Sequence, residues 1–277
     1  MIDKRPLLIA KCSDVADVKT AVNFGRSNGL RIAIRGGGHN GPGFGSVNDG
    51  LVIDMSAING VRVDPATRTV RVGAGCTQGD VDHATHAFGL AVPAGIISTT
   101  GIAGLTLSGG HGYLTRKFGL TIDNLLEADV VLADGSFVTA SKDHNADLLW
   151  ALRSGGGNFG VVTSFLFRAH PVKDVFAGPI AFDQKHARTI MQKFHDFISS
   201  APEDLGIFLG LKTVLSCDPF PKERWGKRMC LLMCCFNGSQ ADGTKALAPL
   251  LQELPEPSFN WMSMMPYPGV QSMFDGL

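Results

Sequence analysis

Arg35-Gly36-Gly37-Gly38-His39-Asn40 places an arginine, three consecutive glycines and a histidine in one short run. Glycines let a backbone approach a bound group closely and turn its N–H groups toward it. Arg35 supplies a cation for an anionic group, and His39 supplies an imidazole at the edge of the cradle. Together they predict a pyrophosphate cradle with a reactive imidazole attached.

The same residues, Gly36-Gly37-Gly38-His39-Asn40-Gly41, also spell G-x-G-x-x-G, and Asp54 follows Gly36 by 18 residues. A Rossmann site needs that motif to open a helix, because the pyrophosphate rests on the helix N-terminus. Residues 40–50 contain Pro42 and glycines 41, 43, 45 and 50, a composition that cannot start a helix. A second match, Gly155-Gly156-Gly157-Asn158-Phe159-Gly160, runs into Val161–Phe167, which is strand-like. A nicotinamide-dependent Rossmann enzyme and glycine-rich turns without a ligand are the two alternatives.

The elements that position these loops follow from pattern. Residues 7–12 predict a strand. Residues 14–28 have helical periodicity, with Asp14 as N-cap and Gly29 as terminator. Residues 30–35 predict the strand that delivers the glycine run, and 51–54 another. Val61–Val63 and Val70–Val72 flank a turn at Pro65-Ala66-Thr67. Thr77 caps a helix running to Phe88, and a short helix is expected over 102–107. Strands at 125–133 and 137–140 flank Asp134-Gly135. A helix over 147–153 and a strand over 161–169 complete a first domain, 1–172. The remainder, 173–277, predicts helices at 186–199 and 239–254 around strands 205–216 and 228–236, with no clear element over 255–277.

Composition bounds the rest. The 277 residues are 44% hydrophobic and 18% charged, enough for one large or two ordinary domains. Twenty-five basic and 25 acidic residues balance, which leaves no basic footprint for nucleic acid. No run of 18 apolar residues predicts a transmembrane helix. Residues 1–6 lack the apolar stretch of a signal peptide, so a cytoplasmic protein with a small-molecule partner and no membrane partner is expected. Cys12, Cys76, Cys217, Cys230, Cys234 and Cys235 lack zinc-site spacing. They are expected to be buried thiols in a reducing compartment, with no metal site.

The motifs taken in order resemble the flavin-binding domain of the vanillyl-alcohol oxidase/p-cresol methylhydroxylase superfamily, in its berberine bridge enzyme-like and 6-hydroxynicotine oxidase-like branch. They are Arg35-Gly-Gly-Gly-His39-Asn40, Pro93-Ala94-Gly95, Gly109-Gly110-His111-Gly112-Tyr113, Asp123-Asn124 and Gly155–Gly160. The resemblance implies an α+β, two-subdomain PCMH-type FAD-binding domain, followed by a partial substrate domain with an antiparallel sheet flanked by helices. It implies FAD joined covalently to His39, which raises the redox potential and retains the cofactor. The position of a second, cysteine linkage in some members is Ile97 here, so attachment at one point is expected.

Further cofactor-binding residues implied are Ser98, Thr99, Thr100, Gly101 and Gly104, whose amides open the helix over 102–107. Asn158, Gly160 and Val162 would lie toward the adenine and ribose, and His111 and Tyr113 would line the flavin or only fill their loop. The implied chemistry moves a hydride from a carbon bearing OH or amine to flavin N5, with O2 as acceptor. Alcohols, sugars and secondary amines are candidate substrates, and no residue is assigned as catalytic base. Members are usually longer, so the chain is expected to be truncated at both ends. A flavin-binding fragment without turnover is the remaining alternative.

Overall fold

The computed structural model describes residues 2–216, 220 and 222–276. Two compact units result, one of Met1–Lys173 with Gln271–Leu277 and the other of Asp174–Val270. The sequence division after residue 172 leaves 271–277 with the second half, whereas contacts group that stretch with the first unit.

The first unit opens with β1 (Leu8–Lys11), α1 (Val15–Ser27), β2 (Ile32–Arg35) and β3 (Leu51–Asp54). The three strands form a parallel sheet in the order β1-β3-β2. Asp14 caps α1 by accepting the Asp17 amide at 3.0 Å. Gly29, at φ 62°, lets the chain turn out of the helix. α1 buries Val18, Ala21 and Val22 in the unit's core.

Then come β4 (Val61–Asp64), β5 (Thr69–Gly73), α2 (Gln78–His86), β6 (Leu90–Ala91), α3 (Ile102–Leu107), α4 (Thr115–Phe118), β7 (Leu125–Val131), β8 (Phe137–Ser141), α5 (Ala146–Leu152), β9 (Val161–Arg168) and β10 (His170–Pro171). An antiparallel sheet runs β4-β5-β9-β7-β8. Period-two alternation sends Val70, Val72, Phe165, Phe167 and Val130 into the core with the α1 side chains. The other face is polar: Arg71 pairs with Glu127 and lies 3.3 Å from Asp129 Oδ2. Asp129 also accepts from Ser164 Oγ at 2.6 Å and Thr139 Oγ1 at 2.8 Å, so one carboxylate links three strands.

The second unit contains β11 (Asp174–Asp183), α6 (Ala187–Ile198), β12 (Leu205–Thr213), β13 (Arg228–Phe236), α7 (Gln240–Leu251), β14 (Phe259–Asn260) and β15 (Ser263–Pro266), and α8 (Tyr267–Gln271) follows. Its sheet runs β12-β13-β11-β14, with β15 also on β11, all antiparallel. Phe176, Ile180 and Phe182 of β11 and Leu232 and Cys234 of β13 share a core with Ile190 of α6 and Leu247 and Leu250 of α7.

The sequence predicts only two strands here and nothing regular after 255, and the structure corrects both. The central strand β11 is masked by Gly178-Pro179, a pair that argues against a sheet interior. Glycine is required because a Cβ at 178 would lie 2.3 Å from the Trp261 carbonyl oxygen. Pro179 lies between the stretches of β11 that pair with β15 and with β14, so its missing donor interrupts neither ladder, and its carbonyl accepts the Trp261 amide at 3.0 Å.

Cys12, Cys76, Cys230, Cys234 and Cys235 are buried free thiols, and Cys217 lies outside the described residues. Burial pushes Cys76 and Cys234 up to about 12. Among the described residues no cluster of His, Cys, Asp or Glu is placed to hold a metal ion. No helix among them is long and apolar enough to cross a membrane.

Candidate functional site

β2 ends at Arg35, whose Nη1 lies 3.6 Å from Asp54 Oδ2 at the end of neighbouring β3. The pair holds an exposed guanidinium at the root of the glycine run. Gly38, at φ 77°, has only the Arg35 guanidinium near the place of a Cβ, at 3.6 Å. Gly37 passes directly over Gly101, and Gly36 runs alongside the same turn. Beyond that crossing His39 is exposed, with Nε2 3.1 Å from Thr99 Oγ1. Asn40 turns to its own loop, where Oδ1 accepts the Phe44 amide at 2.8 Å.

The opposite wall is held by the start of α2. Thr77 and Asp80 form a capping box. The next two amides, of Gln78 and Gly79, donate to the carbonyls of Thr100 and Ser98, each at 2.8 Å. Ile102 N–H donates to the Cys76 carbonyl at 3.0 Å. The turn 98–101 is thus pinned on both sides of Thr99, and α3 follows it at once, as its sequence predicts. Gly104 in the first turn of α3 is exposed and has nothing within 4 Å where a Cβ would lie.

The remaining loops interlock with this wall. A Cβ at Gly112 would lie 1.8 Å from the Ala94 carbonyl oxygen, and one at Gly95 would lie 2.6 Å from Leu105. Pro93 and Gly95 are buried, and Gln78 Nε2 donates to the Gly95 carbonyl at 3.1 Å. Ile97 is half-buried, and its carbonyl accepts the Thr100 amide at 3.2 Å. Gly110 packs on Thr121, whereas Gly109 opens onto free space. His111 is exposed and Tyr113 buried. The Gly156 amide donates to the Leu107 carbonyl at 3.0 Å, tying the loop 155–160 to the end of α3. Asn158 is exposed and caps its own turn through the Gly155 carbonyl at 2.9 Å. Gly160 packs on Val131, and Val162 buries its side chain in the core, leaving only its backbone for a ligand.

Two kinds of glycine therefore line these loops. Gly37, Gly101, Gly95 and Gly112 are required where backbone crosses backbone or a neighbouring side chain. Gly38, Gly104 and Gly109 instead leave room beside the backbone. Close backbone approach, an exposed guanidinium and neutral hydroxyls are the donor set that a dinucleotide needs, so these residues fit FAD.

The FAD binding domain family matches residues 6–141 of the chain. A FAD-linked oxidoreductase of Dictyostelium discoideum is 36% identical over 98% of this chain and 56% of its own length. The solved 6-hydroxy-D-nicotine oxidase of Arthrobacter nicotinovorans superposes with a TM-score of 0.87 at 28% identity, over 98% of this chain and 58% of that one. Berberine bridge enzyme-like 1 of Physcomitrella patens gives a TM-score of 0.82 at 30% identity, over 94% and 55%. The chain carries the FAD binding domain and is similar to the berberine bridge enzyme-like FAD-linked oxidoreductases. It spans a little over half the length of these relatives.

Two polar contacts of this FAD binding domain are absent from the sequence prediction. Ser98 donates its amide to Asp275 Oδ1 at 2.9 Å and its hydroxyl to Asp275 Oδ2. Behind the wall, Asp82 is fully buried and accepts from Gln271 Nε2 at 3.4 Å, with Gln78 one turn earlier on the same helix. Burial pushes the Asp82 carboxyl up to about 7, against the smaller opposing effect of hydrogen bonds from Gln271 and Gln78. A signal for this cluster exists in the sequence. Gln78, Asp82 and Thr85 flank Val81 on the inward face of α2, where apolar residues belong. No signal connects Ser98 to a residue so far along the chain.

Proposed function

We propose that this chain carries the flavin site of an oxidoreductase that oxidises a small molecule at a carbon bearing OH or amine. His39 would hold FAD covalently and at one point only, since Ile97 has no nucleophilic side chain. When bound, FAD would supply the hydride acceptor, N5, with O2 as the final electron acceptor. The observation that carries the proposal is the His39–Thr99 contact beside the Gly37–Gly101 crossing. If Nε2–H donates to Thr99, the lone pair rests on Nδ1, the free nitrogen for attachment. Arg35 and the amides of the glycine run and of Thr99, Gly101 and Gly104 would bind the pyrophosphate, and the open faces of Gly104 and Gly109 would admit the cofactor.

The names of the relatives support an amine or alcohol donor, since one solved neighbour is a 6-hydroxy-D-nicotine oxidase and another a chitooligosaccharide oxidase. The test is to express the chain with FAD available and record its visible spectrum. A panel of alcohols, sugars and secondary amines is then offered, with H2O2 detected in air and flavin bleaching followed without it. A flavin spectrum bleached by one class supports the proposal; a colourless chain that takes up no FAD contradicts it.

A further inference from the structure

The segment that begins with Gln271 meets the first unit at two places: Gln271 at the buried Asp82, and Asp275 at Ser98. The second contact has a consequence for the turn. Ser98 commits its amide and its hydroxyl to one carboxylate, and its carbonyl accepts the Gly79 amide at 2.8 Å. Thr100, on the other side, is held through its carbonyl by Gln78 and through its amide by Ile97. Thr99 is therefore carried between two fixed neighbours, and its hydroxyl is the group that meets His39 Nε2. Asp275 anchors Ser98 through its side chain, whereas the contacts with Gly79, Gln78 and Ile97 are backbone to backbone.

We infer that Asp275 is a positioning residue: by taking both donors of Ser98 it fixes the turn that holds Thr99 against His39, and so sets which imidazole nitrogen is free. The assignment rests on the reading of His39 as the flavin-facing residue, but it concerns protein contacts alone and can be measured without flavin. It also gives Ser98 a role other than phosphate binding, since a carboxylate already occupies its donors.

The test uses the full chain with 15N-labelled histidine and no added FAD. The His39 ring signals are identified by their loss in His39→Ala. In the wild type they should report the Nε2-protonated tautomer at alkaline pH. Asp275→Ala and Thr99→Val should each shift them toward the mixed tautomers of an unrestrained imidazole. Ser98→Ala, a one-atom deletion that spares the fold, should shift them partway. Asp275→Asn, which still offers an oxygen to the Ser98 amide, should restore the wild-type signals. Wild-type His39 signals in both Asp275→Ala and Ser98→Ala would overturn the inference, whatever happens to the melting temperature. A parallel FAD titration separates the two readings. If no FAD binds but the ring signals respond as described, the flavin reading fails and the positioning role stands.

Discussion

Gly37 and Gly101 touch backbone to backbone: a Cβ on either would lie 2.3 Å from the amide nitrogen of the other. The contact joins the loop leaving β2 to the turn that opens α3. It brings an arginine, a histidine and a set of backbone amides together from stretches more than sixty residues apart. A glycine cradle in this chain is thus a packing device first, and a ligand surface only where the packing leaves space.

Gly101→Ala and Gly104→Ala should separate those two roles. The first forces the crossing apart, and should lower the melting temperature and FAD affinity together. The second meets no atom and removes a helical glycine, which favours the fold by about 0.5–1 kcal/mol. If the cofactor lies against Gly104, that variant melts higher yet binds FAD more weakly. Thermal melts with and without FAD check both. Unchanged FAD affinity in Gly104→Ala would place the ligand elsewhere.

Asp82 sets a pH dependence of stability. Its folded pKa, about 7, lies above the ordinary 3.8, so the protonated carboxyl is favoured in the folded state. Its contribution is fully present below about pH 4 and is lost as pH rises through about 7. Asp82→Asn is neutral at every pH. Its stability advantage over wild type should grow from pH 4 to pH 7 and then level off, at on the order of 2–4 kcal/mol. Urea unfolding at pH 4.5, 6 and 8 measures this, and a constant difference across the series would contradict it.

Arg71 neutralises Glu127 and Asp129 on the solvent side of the five-stranded sheet. Arg71→Ala leaves two neighbouring carboxylates without their cation and should cost about 1–2 kcal/mol, with part of the loss recovered in high salt. Denaturant melts at low and high ionic strength check it, and a salt-independent loss would point to packing instead.

Local chemistry made most of the first unit legible. Asp14 and Thr77 cap helices where their hydroxyl or carboxylate precedes a periodic run, and α3 has the bounds its sequence predicts. The hairpin of β7 and β8 follows from Asp134-Gly135. Legibility ended where tertiary contacts override local preference. β11 was hidden because Gly178-Pro179 reads as a break, though neighbours on both sides satisfy its backbone. The candidate site was readable as glycine motifs, but not as crossings, since nothing local pairs Gly37 with Gly101. Asp275 and Gln271 were unreadable for the same reason: their partners lie more than 170 residues earlier.

The central claim is that His39 holds FAD covalently. Intact mass and in-gel fluorescence of the acid-denatured chain, expressed with FAD available, test it most directly. The account predicts one flavin per chain in the wild type, fluorescent after denaturation, and none in His39→Ala, whether or not that variant still binds FAD when native. Acid-stable flavin in His39→Ala, or wild-type protein that is yellow when native but bare after denaturation, would contradict it.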